Sequence, residues 1–365
     1  MALSPNYSWA EPDNSSLVKN GAQDIRALGD AIDTSVWNIG FGQAGKNKII
    51  NGDFGIWQRS TSATVTSETY LAPDRYRSTY VAGGATVTWS RQSFTAGAAP
   101  VAGYEAEYFS RISATSGSGT TVIGINQPIE DVRTFAGQTA TISFWAKADS
   151  ARTATILILQ NFGSGGSGSV TVLNTTQVLT TSWVRYSFTV AVPSISGKTI
   201  GTGSFLVPYI YYNTAQASGS PQLDTWGLQF EYGSKATPFE TATGTIQGEL
   251  DACMRYFQRR INSSAAPEET VATAQCVSTT QSYGEMQWMV PMRVNPSVSV
   301  SAATDYQQRN ASAGVLTLTA ISFDRISQRG CRFITTVSAG LVAGDASLVA
   351  AVFANNATLD ASAEL

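Results

Sequence analysis

The sequence predicts a mostly-β protein: an N-terminal arm and short helix, a jelly-roll β-sandwich, a linking helix and a C-terminal β-sandwich-like tip. Three observations predict it. From Val184 to Val192, the residues Val184, Tyr186, Phe188, Val190 and Val192 alternate with Arg185, Ser187, Thr189 and Ala191, the period of a half-buried strand. Similar runs recur between Gly, Ser and Pro clusters at intervals of about 8–12 residues, with no crossover helices between them. Only 13% of the 365 residues are charged, about half the ~25% usual in globular proteins, so Ser, Thr and backbone pairing must supply the polar surface.

Residues 1–48 read as an arm followed by a helix. Pro5, Pro12, Tyr7 and Trp9 favour an extended segment that docks on something. Val18, Ile25, Ile32 and Ile39 then fall seven apart, with Leu28 at the intervening d position. That stripe fits a short parallel bundle, and equally a helix packed on its own domain. Glycines at 40, 42 and 45 mark a hinge. Residues 49–244 carry the strands, among them Thr139–Ala148, Thr153–Gln160 and Phe205–Tyr212, with a Gly/Ser loop over 163–169. Residues 245–261 predict a linking helix, since Ile246, Leu250, Cys253, Met254 and Phe257 share one face. Residues 262–365 form a second β-rich region, the distal domain. No fixed-period repeat occurs, which disfavours a β-helix.

Composition excludes several chemistries. There is no histidine, so Ser-His-Asp and Cys-His catalysis and His-ligated metal sites are out. A net charge of −3 offers no basic stripe for nucleic acid. Cys253, Cys276 and Cys331 cannot all pair and form no CxxC, which reads as buried reduced thiols. The polar, acidic amino terminus is unlike a secretory signal, and no apolar run approaches the ~20 residues that span a bilayer; the expectation is cytoplasmic assembly without membrane insertion. Carboxylate pairs for glycoside hydrolysis are limited to Glu130/Asp131, which as strand neighbours point apart, and Glu105/Glu107, which share a face but no recognisable motif. The expectation is that the protein is not an enzyme.

Several segments carry a resemblance: Asn51–Arg59 (NGDFGIWQR), Pro73–Tyr76 (PDRY), Ser143–Ala148 (SFWAKA), Leu228–Glu240 and Cys253–Gln258 (CMRYFQ), in that order. Together with Tyr7–Pro12 and Trp288–Pro296 they resemble bacteriophage tail-fibre and virion-surface fibre proteins with a carbohydrate-binding-module-like jelly roll. The resemblance spans nearly the whole chain. It implies a homotrimeric virion component, assembled in the host cytoplasm, that meets other virion proteins through its N-terminus and a host-surface glycan or receptor elsewhere. Attachment and oligomerisation would then fall to Tyr7, Trp9, Val18, Ile25, Leu28, Ile32 and Ile39. Such modules often hold a structural Ca²⁺, for which Asp53 and Asp224 are weak candidates; turn and capping roles are the alternative.

Sugar binding needs exposed aromatic faces and fixed polar groups. Tyr209 and Tyr211 share one face of their strand, with Gln160, Asn161 and Arg185 as polar candidates. The alternative places Tyr209 and Tyr211 in the core and Ile210 and Tyr212 outside. At the tip, Trp288 and Tyr306, with Gln307, Gln308 and Arg309, are candidates for receptor contact or for plain packing. A purely structural capsid-surface or baseplate fibre, and a polysaccharide depolymerase spike, stay open beside the receptor-binding reading.

Overall fold

The computed structural model describes residues 2–3, 9–11, 17–39, 45–81, 84–101, 104–115, 122–213, 220–263, 269–352 and 357–365. Its two short leading strands, β1 (Ala2–Leu3) and β2 (Ala10–Glu11), pair antiparallel, so the expected extended arm doubles back on itself. Helix α1 (Gly21–Ile39) follows. Ile25 is 65% exposed and Ile32 39% exposed along it, so these two positions of the heptad stripe are uncovered in the single chain, and Leu28 is half-buried. Tyr7 lies outside the described residues, as do the side chains of Val18 and Ile39.

The jelly-roll region contains β3 (Ser62–Val65), β4 (Arg77–Val81), β5 (Val87–Ser93), β6 (Tyr108–Ala114), β7 (Val122–Asn126), β8 (Ile129–Glu130), β9 (Thr139–Ala148), β10 (Arg152–Asn161), β11 (Val170–Leu179), β12 (Val184–Ala191), β13 (Phe205–Tyr212) and β14 (Gln222–Tyr232). They form two antiparallel sheets, ordered β11-β10-β13-β7-β4, with β8 also on β13, and β12-β9-β14-β6-β5-β3. Alternation sends Ile156, Ile158, Leu206, Ile210 and Tyr212 of the first sheet and Trp89, Ile112, Ile142, Phe144 and Phe230 of the second into one shared core. A smaller aromatic cluster of Phe109, Trp145, Trp226 and Phe239 packs separately.

Helix α2 (Ile246–Met254) is capped by the Thr245 hydroxyl, which accepts from the Gly248 amide at 3.1 Å. It ends earlier than its sequence predicts. Phe257 to Ser263 are instead strand β15 (Phe257–Ser263), paired with a strand about 100 residues later. Ile246, expected on the packed face, is 68% exposed.

The distal strands are β16 (Thr270–Cys276), β17 (Gln281–Gln287), β18 (Ser297–Val300), β19 (Tyr306–Asn310), β20 (Gly314–Thr317), β21 (Ala320–Asp324), β22 (Gly330–Thr336), β23 (Ala346–Ala351) and β24 (Ala357–Ser362). A three-stranded sheet, β15-β24-β18, and a seven-stranded sheet, β20-β19-β23-β16-β17-β22-β21, share a second core. Trp288 and Tyr306 belong to it: Trp288 is 6% exposed and donates its indole N–H to the Ser327 carbonyl at 3.0 Å. Tyr306 is fully buried and donates to the Thr358 carbonyl at 2.6 Å. Both candidate receptor contacts are therefore packing residues, and buried Gln308 joins Ser282, Ser347 and Thr335 in a polar network inside the same domain. All three cysteines are free and buried.

The two domains meet at the corner built by the NGDF and PDRY segments. Asn51, at φ 59°, closes its turn by accepting from the Ile56 amide at 2.9 Å and donating to the Ile56 and Asp74 carbonyls. Buried Glu249 of α2 accepts the Asn51 backbone N–H at 2.6 Å. Arg75, also at positive φ and 1% exposed, pairs with Glu364, donates to the Pro128 carbonyl at 2.7 Å and lies 3.5 Å from the Tyr256 ring centroid. Arg59 reaches the same Glu364 carboxylate at 3.0 Å and stacks on Phe257. Arg259 grips Asp360 through two 2.7 Å bonds and donates to the Arg59 carbonyl.

Candidate functional site

Strand β13 decides which tyrosines are available. Ile210 and Tyr212 lie in the core at 1% and 0% exposure, so the alternation turns Tyr209 and Tyr211 to the outer face, where both are half-buried. Antiparallel register then lines up two rows across five strands. One runs Asn174, Leu157, Tyr209, Asn126 and Arg77; the other runs Thr176, Thr155, Tyr211, Gly124 and Thr79. At about 4.8 Å per strand, each row extends about 19 Å.

Polar groups at one side of this face hold each other in place. Arg77 Nε donates to Asn126 Oδ1 at 3.1 Å, and its terminal nitrogen pairs with Glu68 at 3.0 Å and lies 3.4 Å from the Tyr209 hydroxyl. The Asn126 amide donates to Thr79 Oγ1 at 3.0 Å and to Glu68 at 3.3 Å. Burial pushes the Tyr209 phenol above its ordinary pKa, so it stays a neutral donor through the physiological range. Gly124 is required beneath Tyr211: a Cβ there would stand 2.2 Å from the Ile210 carbonyl oxygen and 2.4 Å from Tyr211 Cβ.

The other sequence candidates do not join this face. Gln160 points inward with Ile156 and Ile158, is 0% exposed, and donates to the Pro193 carbonyl at 3.0 Å. Asn161 lies four residues along β10 from the Tyr209 row, about 13 Å at 3.3 Å per residue, and accepts from the Gly163 amide. Arg185 sits on β12 of the opposite sheet, stacked 4.5 Å above Trp145 and donating to Ser143 Oγ at 3.0 Å and to the Thr237 carbonyl. Desolvation lowers its guanidinium pKa. The residues that sequence reasoning missed are Glu68, Arg77 and Asn126. A polar residue alternating with Tyr76 and Ser78 was the available signal for Arg77; nothing local signals the other two.

Asp53 and Asp224 serve different partners. Asp224 is held by Arg111 through bonds of 2.7 and 2.8 Å, with Lys147 at 3.8 Å. Asp53 accepts from the Tyr104 hydroxyl at 3.0 Å, and burial raises its pKa. No group of three or more Cys, Asp or Glu suited to a metal ion occurs among the described residues. Glu105 and Glu107 line a crevice of about 390 Å³ with Asp53 and Tyr104. Glu130 is engaged by Arg255 at 2.8 Å and by the Tyr256 hydroxyl at 2.9 Å. No helix among the described residues is long and apolar enough to cross a membrane.

No protein-family model and no curated protein matches the sequence. Among solved structures, one titled "CBM4 structure and function" aligns at 18% identity over 34% of this chain and 84% of its own, with a TM-score of 0.26. A family 11 carbohydrate-binding module from Clostridium thermocellum, in complex with a β-1,3-1,4-mixed-linked tetrasaccharide, aligns at 12% identity over 48% of this chain and 98% of its own, with a TM-score of 0.29. The enzymatically active domain of bacteriophage CBA120 tailspike protein 4 aligns at 14% identity over 51% of this chain and 21% of its own, with a TM-score of 0.31. At these scores the alignments carry no argument about what this chain does.

Proposed function

We propose that this protein is a non-catalytic, glycan-binding component of a phage virion, held to the particle by its N-terminal segment and assembled as a homotrimer in the host cytoplasm. The observation that carries the glycan reading is the outer face of the first jelly-roll sheet, where two tyrosine rings lie beside the Glu68–Arg77–Asn126 network. Rings offer flat apolar contact to sugar C–H groups, while the part-exposed Arg77 guanidinium, held by Glu68 and the buried Asn126, meets hydroxyls without having to be ordered first. A shallow face of this kind binds weakly, and three copies on one particle would raise its effective hold. The virion assignment is supported by the order of the NGDF, PDRY, SFWAKA and CMRYFQ segments in the sequence.

Competition for adsorption tests it. Purified full-length protein is added to host cells ahead of virions, beside the Tyr209→Ala/Tyr211→Ala double variant. The expected result is dose-dependent block of adsorption by the parent and a loss of roughly tenfold or more in potency for the variant, about 1.4 kcal/mol. If neither protein slows adsorption, the receptor-binding reading falls and a purely structural fibre replaces it. Equal potency of the two would move the binding site off this face.

A further inference from the structure

A further cavity is on the other domain. It is a groove of about 1080 Å³ over the outward face of β16, β17 and β22. On this face Gly330 stands opposite Gln287, and a Cβ there would come within 2.3 Å of the Met286 carbonyl oxygen. The close approach of the two strands keeps that part of the floor bare of a side chain. Tyr283 rises further along the same face, half-buried, with the Arg332 guanidinium 4.5 Å from its ring centroid. Asp324 fixes Arg332 through a 2.7 Å bond to Nε and a second bond to the terminal nitrogen.

The wall opposite is a tight turn. Ser327 donates its amide and its hydroxyl to the Gly330 carbonyl at 2.9 and 3.0 Å, and buried Trp288 anchors the Ser327 carbonyl. From this rigid turn Arg329 extends into solvent with no side-chain partner among the described residues. The amides of Gln275 and Gln287 are exposed on the lip. Three guanidiniums, Arg325, Arg329 and Arg332, and the Glu285 carboxylate line the groove, and Asp324 pairs with Arg332. One positive charge is left over.

We propose that this groove binds a carboxylate-bearing saccharide, its acid group paired with Arg329 and its ring lying over Gly330, with Tyr283 further along the same face. A planar guanidinium matches a carboxylate in two parallel hydrogen bonds. A single spare charge suits a monoanion, whereas a dianionic phosphate would face Glu285 and Asp324 with its second charge uncompensated. The exposed amides supply donors and acceptors for hydroxyls in a cavity large enough for an oligosaccharide. This site is on a different domain from the tyrosine face and does not depend on it.

Full-length protein is titrated calorimetrically with galacturonic acid, its methyl ester, 3′-sialyllactose and lactose. The expected result is that at least one acid binds roughly tenfold or more tightly than its neutral counterpart at low salt, and that the preference shrinks as ionic strength rises. Which acid shows it distinguishes a uronate from a sialate. Arg329→Glu, an exposed change, is expected to abolish the preference, Gln275→Ala to weaken binding severalfold, and Lys198→Ala, an exposed change on the other domain, to leave both unchanged. The proposal is overturned if neither acid outbinds its neutral form, if Arg329→Glu keeps the preference, or if inorganic phosphate binds as tightly as the acids.

Discussion

Glu364 is where the energetics of single residues are most concentrated. Its carboxylate neutralises Arg75, a guanidinium with 1% of its side chain exposed, and also meets Arg59. Removing one partner of such a pair leaves a buried charge uncompensated, which costs about 3–5 kcal/mol. Glu364→Ala is therefore expected to lower the denaturation midpoint sharply, whereas Glu107→Ala, an exposed carboxylate, is expected to leave it within about 0.5 kcal/mol. Asp74 beside them adds a pH dependence. Burial is the main cause that raises its pKa from 3.8 to about 7, against the lowering effect of Arg59 and Gln58. The folded state thus keeps a proton that the unfolded chain loses near pH 4. This group's contribution to stability is full below about pH 4 and declines as pH rises to about 7. Asp74→Asn should flatten that part of the stability–pH curve; an unchanged curve would show that Asp74 is ionised throughout.

At the scale of the strand, the reading of sequence succeeds where polar and apolar residues alternate and stalls where both parities are apolar. β12 was legible because Arg185, Ser187 and Thr189 interrupt its hydrophobics. In Phe205–Tyr212 every residue is apolar or aromatic, so periodicity pairs Tyr209 with Tyr211 but cannot say which pair faces the core. Burial in the folded chain settles it: Ile210 and Tyr212 enter the core, and Gly124 opposite Tyr211 leaves room for that ring on the other face. Gly124→Ala is expected to destabilise the fold by about 1–3 kcal/mol through overpacking and to weaken glycan adsorption by displacing Tyr211. Melting temperature and adsorption competition measured on the same sample would check both effects. The end of α2 was misread for a related reason. The residues after Met254 continue a helical pattern of apolar positions, and what draws Phe257–Ser263 into a sheet is pairing with Ala357–Ser362, far outside any local window. Glu68, Arg77 and Asn126 were out of reach for the same cause: Arg77 and Asn126 meet through lateral register, and Glu68 reaches them from the bend between β3 and β4.

For the whole molecule, the resemblance-bearing segments have a role that composition did not disclose. NGDF and PDRY build the corner on which the distal domain rests, and the CMRYFQ segment supplies Tyr256 and Phe257, the rings beneath Arg75 and Arg59. The oligomer expected from the heptad stripe is a matter for α1, whose Ile25 and Ile32 are exposed in the single chain. If they form a bundle seam, Ile25→Asp with Ile32→Asp should convert a trimer to monomers in sedimentation equilibrium without changing the melting of the β domains. A parent protein that sediments as a monomer would remove the trimer from the proposal.

The distal domain leaves the jelly roll by one covalent crossing, at Arg255–Tyr256, and returns to the same corner through Glu364 and Arg259. A body tethered by one strand of backbone can swivel about it. Here rotation would have to tear Glu364 away from Arg75 and Arg59, and Arg259 away from the Arg59 carbonyl. Torque applied at the far end is accordingly passed to the sandwich rather than dissipated in the connection, and the tip behaves as a keyed shaft instead of a flail.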